Sequence, residues 1–179
     1  MELYVLDSLL RREVVVDTFD SCVWTERYND VGDVTLNIHS TLGNRSLLTT
    51  GTLLAMNRSN RVMKIDTVED KSNSDGTQVL VCTGTSVENF LDERAARDTM
   101  SAGTTLRPKW VITGLPADIA REVFQKVMVD GVLDEADVMP YYTVGNLYPA
   151  DTIAEPEDEV EVSIDISTVL SALRSICQT

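Results

Sequence analysis

One histidine, three cysteines and fifteen cations serve a chain of 179 residues, and each scarcity removes a class of function. His39 stands alone on the polar side of an alternating pattern, so zinc binding or proton relay by a histidine pair has no second member. Cys22, Cys82 and Cys177 are widely spaced and set among apolar neighbours. They read as buried, reduced thiols and not as a disulfide framework or a zinc site. No apolar run approaches the roughly 20 residues that span a bilayer. The opening Met1-Glu2-Leu3-Tyr4-Val5-Leu6-Asp7 lacks the basic start, apolar stretch and cleavage site of a secretory signal, which makes a cytoplasm the expected place of synthesis.

Catalytic signatures are missing as well. There is no phosphate-cradling glycine loop and no serine elbow, and the stretch from Asp130 to Asp137 lacks the alternating ligands and closing Glu of a calcium loop. Carboxylate pairs such as Asp134 with Asp137 and Glu155 with Glu157 are what an acidic composition supplies by itself. The expectation is a protein without catalytic residues, cofactor or metal.

What the chain has in excess is negative charge. Against 15 Lys and Arg stand 29 Asp and Glu, a formal net charge of -14. Such a surface repels phosphates, so sequence-specific nucleic-acid binding is not expected. The acids are concentrated late: Val127 to Leu173 contains no Lys, Arg or His. Asp130, Asp134, Glu135, Asp137, Glu155, Glu157, Asp158, Glu159, Glu161 and Asp165 fall there, either as a solvated surface or as a wall that nucleic acid passes without lodging.

Up to about Ser86 the pattern is that of β structure. Val34, Leu36 and Ile38 alternate with polar residues as in a half-buried strand. Leu3 to Leu6, Glu13 to Phe19, Gly51 to Met56, Val62 to Val68 and Gln78 to Thr83 are β-branched and bounded by turn-forming residues. Short strands at this spacing suggest a barrel or a sandwich. Asp75-Gly76 predicts a hairpin between the last two. Thr85-Ser86-Val87-Glu88 has the form of a capping box, with a short helix to follow that buries Phe90 and Leu91.

Helical periodicity dominates later. Pro116 opens a helix whose stripe is Ile119, Ala120, Val123, Phe124, Val127 and Met128, with Gly131 placed to end it. Met139 to Pro156 reads as an irregular loop. Val160, Val162, Ile164 and Ile166 form an acid-faced strand, and a further helical stripe follows Ser167-Thr168. In that last helix Leu170, Leu173 and Ile176 are expected to need a cover from a partner or from further sequence. Trp24 and Trp110, beside β-branched runs, are expected in a core or an interface.

Several segments together carry a family resemblance: Leu3-Tyr4-Val5-Leu6-Asp7, Trp24-Thr25-Glu26-Arg27-Tyr28, Gly32-Asp33-Val34, Asn44-Arg45-Ser46-Leu47-Leu48 and Gly51-Thr52-Leu53-Leu54-Ala55. Val62-Met63-Lys64-Ile65 to Glu69-Asp70, the stretch from Glu88 to Asp98, Trp110-Val111-Ile112-Thr113-Gly114 and Asp118-Ile119-Ala120 follow in register. In this order they resemble the amino-terminal portion of siphophage minor tail proteins of the actinobacteriophage kind, the tail-tip or baseplate hub family. The resemblance implies an α+β protein. Residues 1–100 would form a β-barrel or β-sandwich hub domain with a short helix. Residues 101–179, packed helices and a small β segment, would begin a second hub domain that continues in such proteins into a further β-rich half.

It also implies a structural virion protein of the tail tip, a homotrimer that joins the distal tail protein ring, the tape measure protein and other minor tail proteins around the DNA passage. The ten late carboxylates would then line an acidic lumen. A receptor- or carbohydrate-binding tail module using Trp110, Tyr141, Tyr142 and Tyr148 is the alternative. A cell-wall hydrolase and an acidic mimic of DNA are remoter readings.

Overall fold

The computed structural model describes residues 2–28, 30–96, 109–131, 159–165 and 167–178. The chain forms two compact units, Met1–Asn89 and Phe90–Thr179.

In the first unit seven strands pair antiparallel throughout. They are β1 (Leu3–Leu6), β2 (Arg12–Val16), β3 (Phe19–Thr25), β4 (Asp33–His39), β5 (Leu53–Met56), β6 (Val62–Ser72) and β7 (Gln78–Ser86), arranged in the order β2-β1-β5-β6-β7-β4-β3. Alternation decides which side is buried. Val34, Leu36 and Ile38 of β4 face inward between half-exposed Thr35 and Asn37. Leu36 and Ile38 meet Leu3 and Val5 of β1, Val16 of β2, Leu54 of β5, Ile65 of β6, and Leu80 and Cys82 of β7 in one core. Val16 and Ile38 belong to strands near opposite ends of the order, so the sheet curls around its own apolar face.

The expected barrel or sandwich is met only in part, because the ladder does not close. Its ends, β2 and β3, form no pairing with each other among the described residues. The stretch Glu13 to Phe19, read as one strand, is broken at Asp17-Thr18 into these two ends. Alternation shows which face is buried but not where a strand changes partners. The same blindness hid α1 (Leu42–Leu47), a single short helix capped by the Thr41 hydroxyl, which accepts from the Asn44 amide at 3.1 Å.

The hairpin foreseen at Asp75-Gly76 is present. β6 and β7 pair from Met63↔Ser86 to Ser72↔Gln78, and Gly76 has φ +85, a conformation side chains disfavour. Gly84 is needed for another reason: a Cβ there would lie 2.1 Å from the Lys64 carbonyl oxygen, where β6 bulges between Ile65 and Thr67. The capping box is not formed. Thr85 donates instead to Asp66 at 2.7 Å, Glu88 pairs with Arg61 at 2.5 Å, and Val87–Leu91 is a 3-10 turn. Cross-strand partners took both side chains because the turn lies at the end of β7 and not in open loop. Ser86 is buried, and its hydroxyl accepts from the Gly32 amide at 2.8 Å while its own amide donates to the Gly32 carbonyl.

The second unit contains β8 (Ala95–Ala96), β9 (Lys109–Gly114), α2 (Pro116–Phe124), β10 (Val160–Asp165), β11 (Ser167–Thr168) and α3 (Val169–Ile176). β9 pairs with β10 and β8 with β11. Trp110 and Ile112 of β9 and Val162 and Ile164 of β10 point into a core closed by Ile119, Val123, Val127, Met128, Val169, Ala172 and Ile176. The predicted stripe of α2 is therefore the buried one. The helix widens to a π turn over Gln125–Val129, which keeps Val127 and Met128 inward, and Gly131 follows with φ +57.

The last helix differs in part from expectation: Ile176 is buried beside Val169 and Ala172 and Leu173 packs on the same core, whereas Leu170 is half-buried. Its cap is Thr168, whose hydroxyl accepts from the Ser171 amide and donates to Asp92 at 2.8 Å. The loop from Met139 to Pro156 and Ile166 lie outside the described residues.

Candidate interaction surface

The expected acidic lining is only partly on view. Asp130, Glu159, Glu161 and Asp165 are exposed, whereas Asp134, Glu135, Asp137, Glu155, Glu157 and Asp158 lie outside the described residues. Asp130 accepts from the Gln125 amide at 2.7 Å. Glu161 and Asp165 project from the outer face of β10, opposite Thr113 and Lys109, and Asp165 lies 3.6 Å from the Lys109 ammonium.

The aromatics divide in a similar way. Trp110 is 5% exposed and sits in the second core, with the Lys126 ammonium 5.3 Å from its ring centre, so it offers no platform to a ligand. Tyr141, Tyr142 and Tyr148 fall outside the described residues. Trp24 is half-buried, and its indole N–H donates to Glu26 at 3.0 Å. His39 is exposed at the end of β4. Among the described residues no group of His, Cys, Asp and Glu is arranged to hold a metal ion.

Titration points to anchoring. Hydrogen bonds from Arg11 hold the Asp7 carboxyl below its usual range, those from Ser59 and Trp24 lower Glu26, Lys71 lowers Glu69, and Thr77 lowers Asp75. Each of these four is thereby kept ionised and acts as an acceptor for its neighbours. An open groove of about 450 Å³ on the outer side of the first sheet is lined by Asp20, Ser21, Asn37, Lys71, Asn73, Val79 and Val81. Its lining holds no aromatic ring.

The unusual surface lies at the two ends of that sheet. Arg12, Glu13, Val14 and Val15 of β2 are exposed in succession, so both faces of this strand meet solvent. The turn before it is tightly held: the Leu9 and Arg11 amides donate to one Asp7 oxygen, the Arg11 guanidinium donates to the other, and the Leu10 amide donates to the Asp7 carbonyl. These bonds fix Leu10 at φ +60, in the left-handed region where a leucine is strained. Leu9 and Leu10 at the tip and Val14 and Val15 along the strand make an apolar arm, four of the eight large hydrophobic residues that the described residues leave exposed.

At the other end, Val23 of β3 is 59% exposed, and Asp20 and Ser21 are exposed beside it. No sequence pattern singled out these residues as a surface. Val14 and Val15 read as ordinary strand residues, and only the partner count of each strand, a long-range property, separates an edge from a centre.

Compared with known proteins, the sequence matches the family described as "Siphovirus ReqiPepy6 Gp37-like protein" over residues 2–179. None of the curated proteins matches it. Among solved structures the fold is similar to that of a prophage tail protein, gp18 from Listeria monocytogenes EGD-e, with a TM-score of 0.58 at 9% identity over 98% of this chain. The chain spans 45% of that protein's length.

Proposed function

The chain belongs to the siphovirus ReqiPepy6 Gp37-like protein family, and from that premise we propose that it is a phage tail protein which serves as part of the tail-tip hub. The observation that carries this reading is the match of residues 2–179 to a siphovirus family, joined to a fold shared with a prophage tail protein. In this reading several copies, three in the simplest case, form a ring in the virion. The ring joins the distal tail protein above, the tape measure protein within and other minor tail proteins around it. The function is shape and passage, with no catalytic residue, and the protein is made in the host cytoplasm before assembly.

Two features support the ring. The seven-stranded sheet of the first unit is open, and its two end strands, β2 and β3, are successive parts of one stretch, Arg12 to Thr25. Among the described residues β2 and β3 each pair on one side alone, which gives one copy unlike surfaces to present to the next. Unlike surfaces are what a heterologous contact that closes by rotation requires. The exposed Glu161 and Asp165, with the acids around them in sequence, suit a wall along which phosphates slide.

Cryo-electron microscopy of intact virions, with an antibody against this chain as locating label, tests the reading. Label at the tail tip in three-fold arrangement is the expected result. Label on peripheral fibres would favour a receptor-binding module, and absence from the particle would remove the structural role.

A further inference from the structure

We propose that Asp130-Gly131 is a site of spontaneous aspartate isomerisation, and that the fold shields Asp75-Gly76, the same dipeptide, from the same reaction. The inference concerns the chain's own covalent chemistry and stands apart from the hub reading. In this reaction the glycine amide nitrogen attacks the side-chain carboxyl carbon of the aspartate before it. A C–N bond forms, the neutral carboxyl gives up its hydroxyl and the amide its proton as one water, and a cyclic imide remains. Water then adds at the main-chain carbonyl of the imide and breaks that C–N bond, so the chain runs on through the former side chain as isoaspartate. One water leaves and one returns. Glycine is the follower that permits the attack, since no Cβ obstructs it.

At the tip of the β6–β7 hairpin every participant is tied. The Gly76 amide donates to the Asn73 carbonyl at 3.0 Å, and the Asn73 amide donates to the Thr77 carbonyl at 2.8 Å. One Asp75 oxygen accepts from the Thr77 amide at 2.9 Å and from the Thr77 hydroxyl at 2.7 Å. The nucleophile is thus engaged, and rotating the peptide after Asp75 breaks the turn. The bonds from Thr77 favour the ionised carboxylate over the neutral form that can lose water.

Asp130 is placed differently. It is exposed and follows the π turn Gln125–Val129. Its amide donates back to the Gln125 carbonyl at 2.9 Å, and its carboxylate accepts from the Gln125 side chain at 2.7 Å. No acceptor for the Gly131 amide is present among the described residues. Rotating the peptide between Asp130 and Gly131 therefore sacrifices the side-chain bond from Gln125 and no backbone bond, whereas Asp75 would lose the closure of a hairpin. Isomerisation at Asp130 inserts a methylene into the main chain just beyond the turn that seats Val127 and Met128 in the second core.

Ageing the full chain at neutral pH, below its thermal midpoint, tests the pair, with isoaspartate at each site counted by electron-transfer fragmentation of the digested peptides. The folded chain should form it at Asp130 at least about tenfold faster than at Asp75, and in guanidinium chloride the two rates should converge to within about threefold. Thr77→Val, which removes one donor from Asp75, should raise the rate at Asp75 alone. Equal rates in the folded chain, or a lead for Asp75, would overturn the assignment. So would a preference for Asp130 that persists undiminished on unfolding, because neighbouring side chains and not the fold would then set the rate. An unchanged rate at Asp75 in Thr77→Val would overturn the shielding.

Discussion

Cys22, Cys82 and Cys177 share a residue type but not an environment. Cys82 is buried in the first core, and that burial pushes its thiol up to about 11. Cys22 is half-buried and raised for the same reason, whereas Cys177 is exposed beyond the end of α3, against the expectation that all three are buried. Since the thiolate is the reactive species, Cys177 should react first with an aromatic disulfide reagent at neutral pH, Cys22 more slowly, and Cys82 only after unfolding. Mass spectrometry of the labelled peptides reads the order. Leu10 offers a second residue-scale prediction. Glycine accepts its left-handed backbone without steric strain but loses more entropy on ordering, so Leu10→Gly should stabilise the fold by up to about 1 kcal/mol. The gain would appear as a rise in the thermal midpoint.

Among the elements, β6 and β7 make the tightest approach. A Cβ at Gly84 collides with backbone and not with a yielding side chain, so Gly84→Ala should cost about 1–3 kcal/mol, measured as a lower urea midpoint with an unchanged slope. The sequence showed the hairpin these strands form because its signals are local: β-branched runs and an Asp-Gly turn. The helices at Pro116 and after Thr168 were legible for the same reason. β3 and β9 went unread. In β3 the half-exposed Phe19, Cys22 and Trp24 do not alternate cleanly, and in β9 the apolar run Trp110-Val111-Ile112 hides its period. The box at Thr85 misled because Asp66 and Arg61, distant in sequence, compete for the same side chains. The exposed valines of β2 were illegible for a related reason, since whether Val14 and Val15 lie at an edge depends on strand order, which residues distant in sequence decide.

At the scale of the whole molecule, electrostatics sets the response to acid. Asp7, Glu26, Glu69 and Asp75 all titrate below their ordinary values in the folded chain. The stability they contribute is complete above about pH 4.5 and is lost as pH falls through those lowered values. Relief of the net charge of -14 acts in the opposite direction on the way down. Urea midpoints should therefore hold or rise slightly from pH 7 toward 5 and fall below 4. Asp75→Asn, which removes one of the four titrations, should make that fall shallower. The two-unit architecture was readable as a change from strand to helix pattern after about Ser86, close to where the compact units divide after Asn89, whereas the division at residue 100 came from the family resemblance.

Strand order also sets a timetable. Leu3 pairs with Met56, and Val34 with Gly84, so a chain emerging from the ribosome holds β1 and β4 ready long before their partners have been translated. The local hairpins β1–β2 and β3–β4 have their partners at hand first, and the sheet is complete only when β7 arrives. Until β7 arrives Leu36 and Ile38 have neither Cys82 nor Leu80 beside them, so the interval between β4 and β7 is the one in which the apolar face of the first sheet lacks its cover.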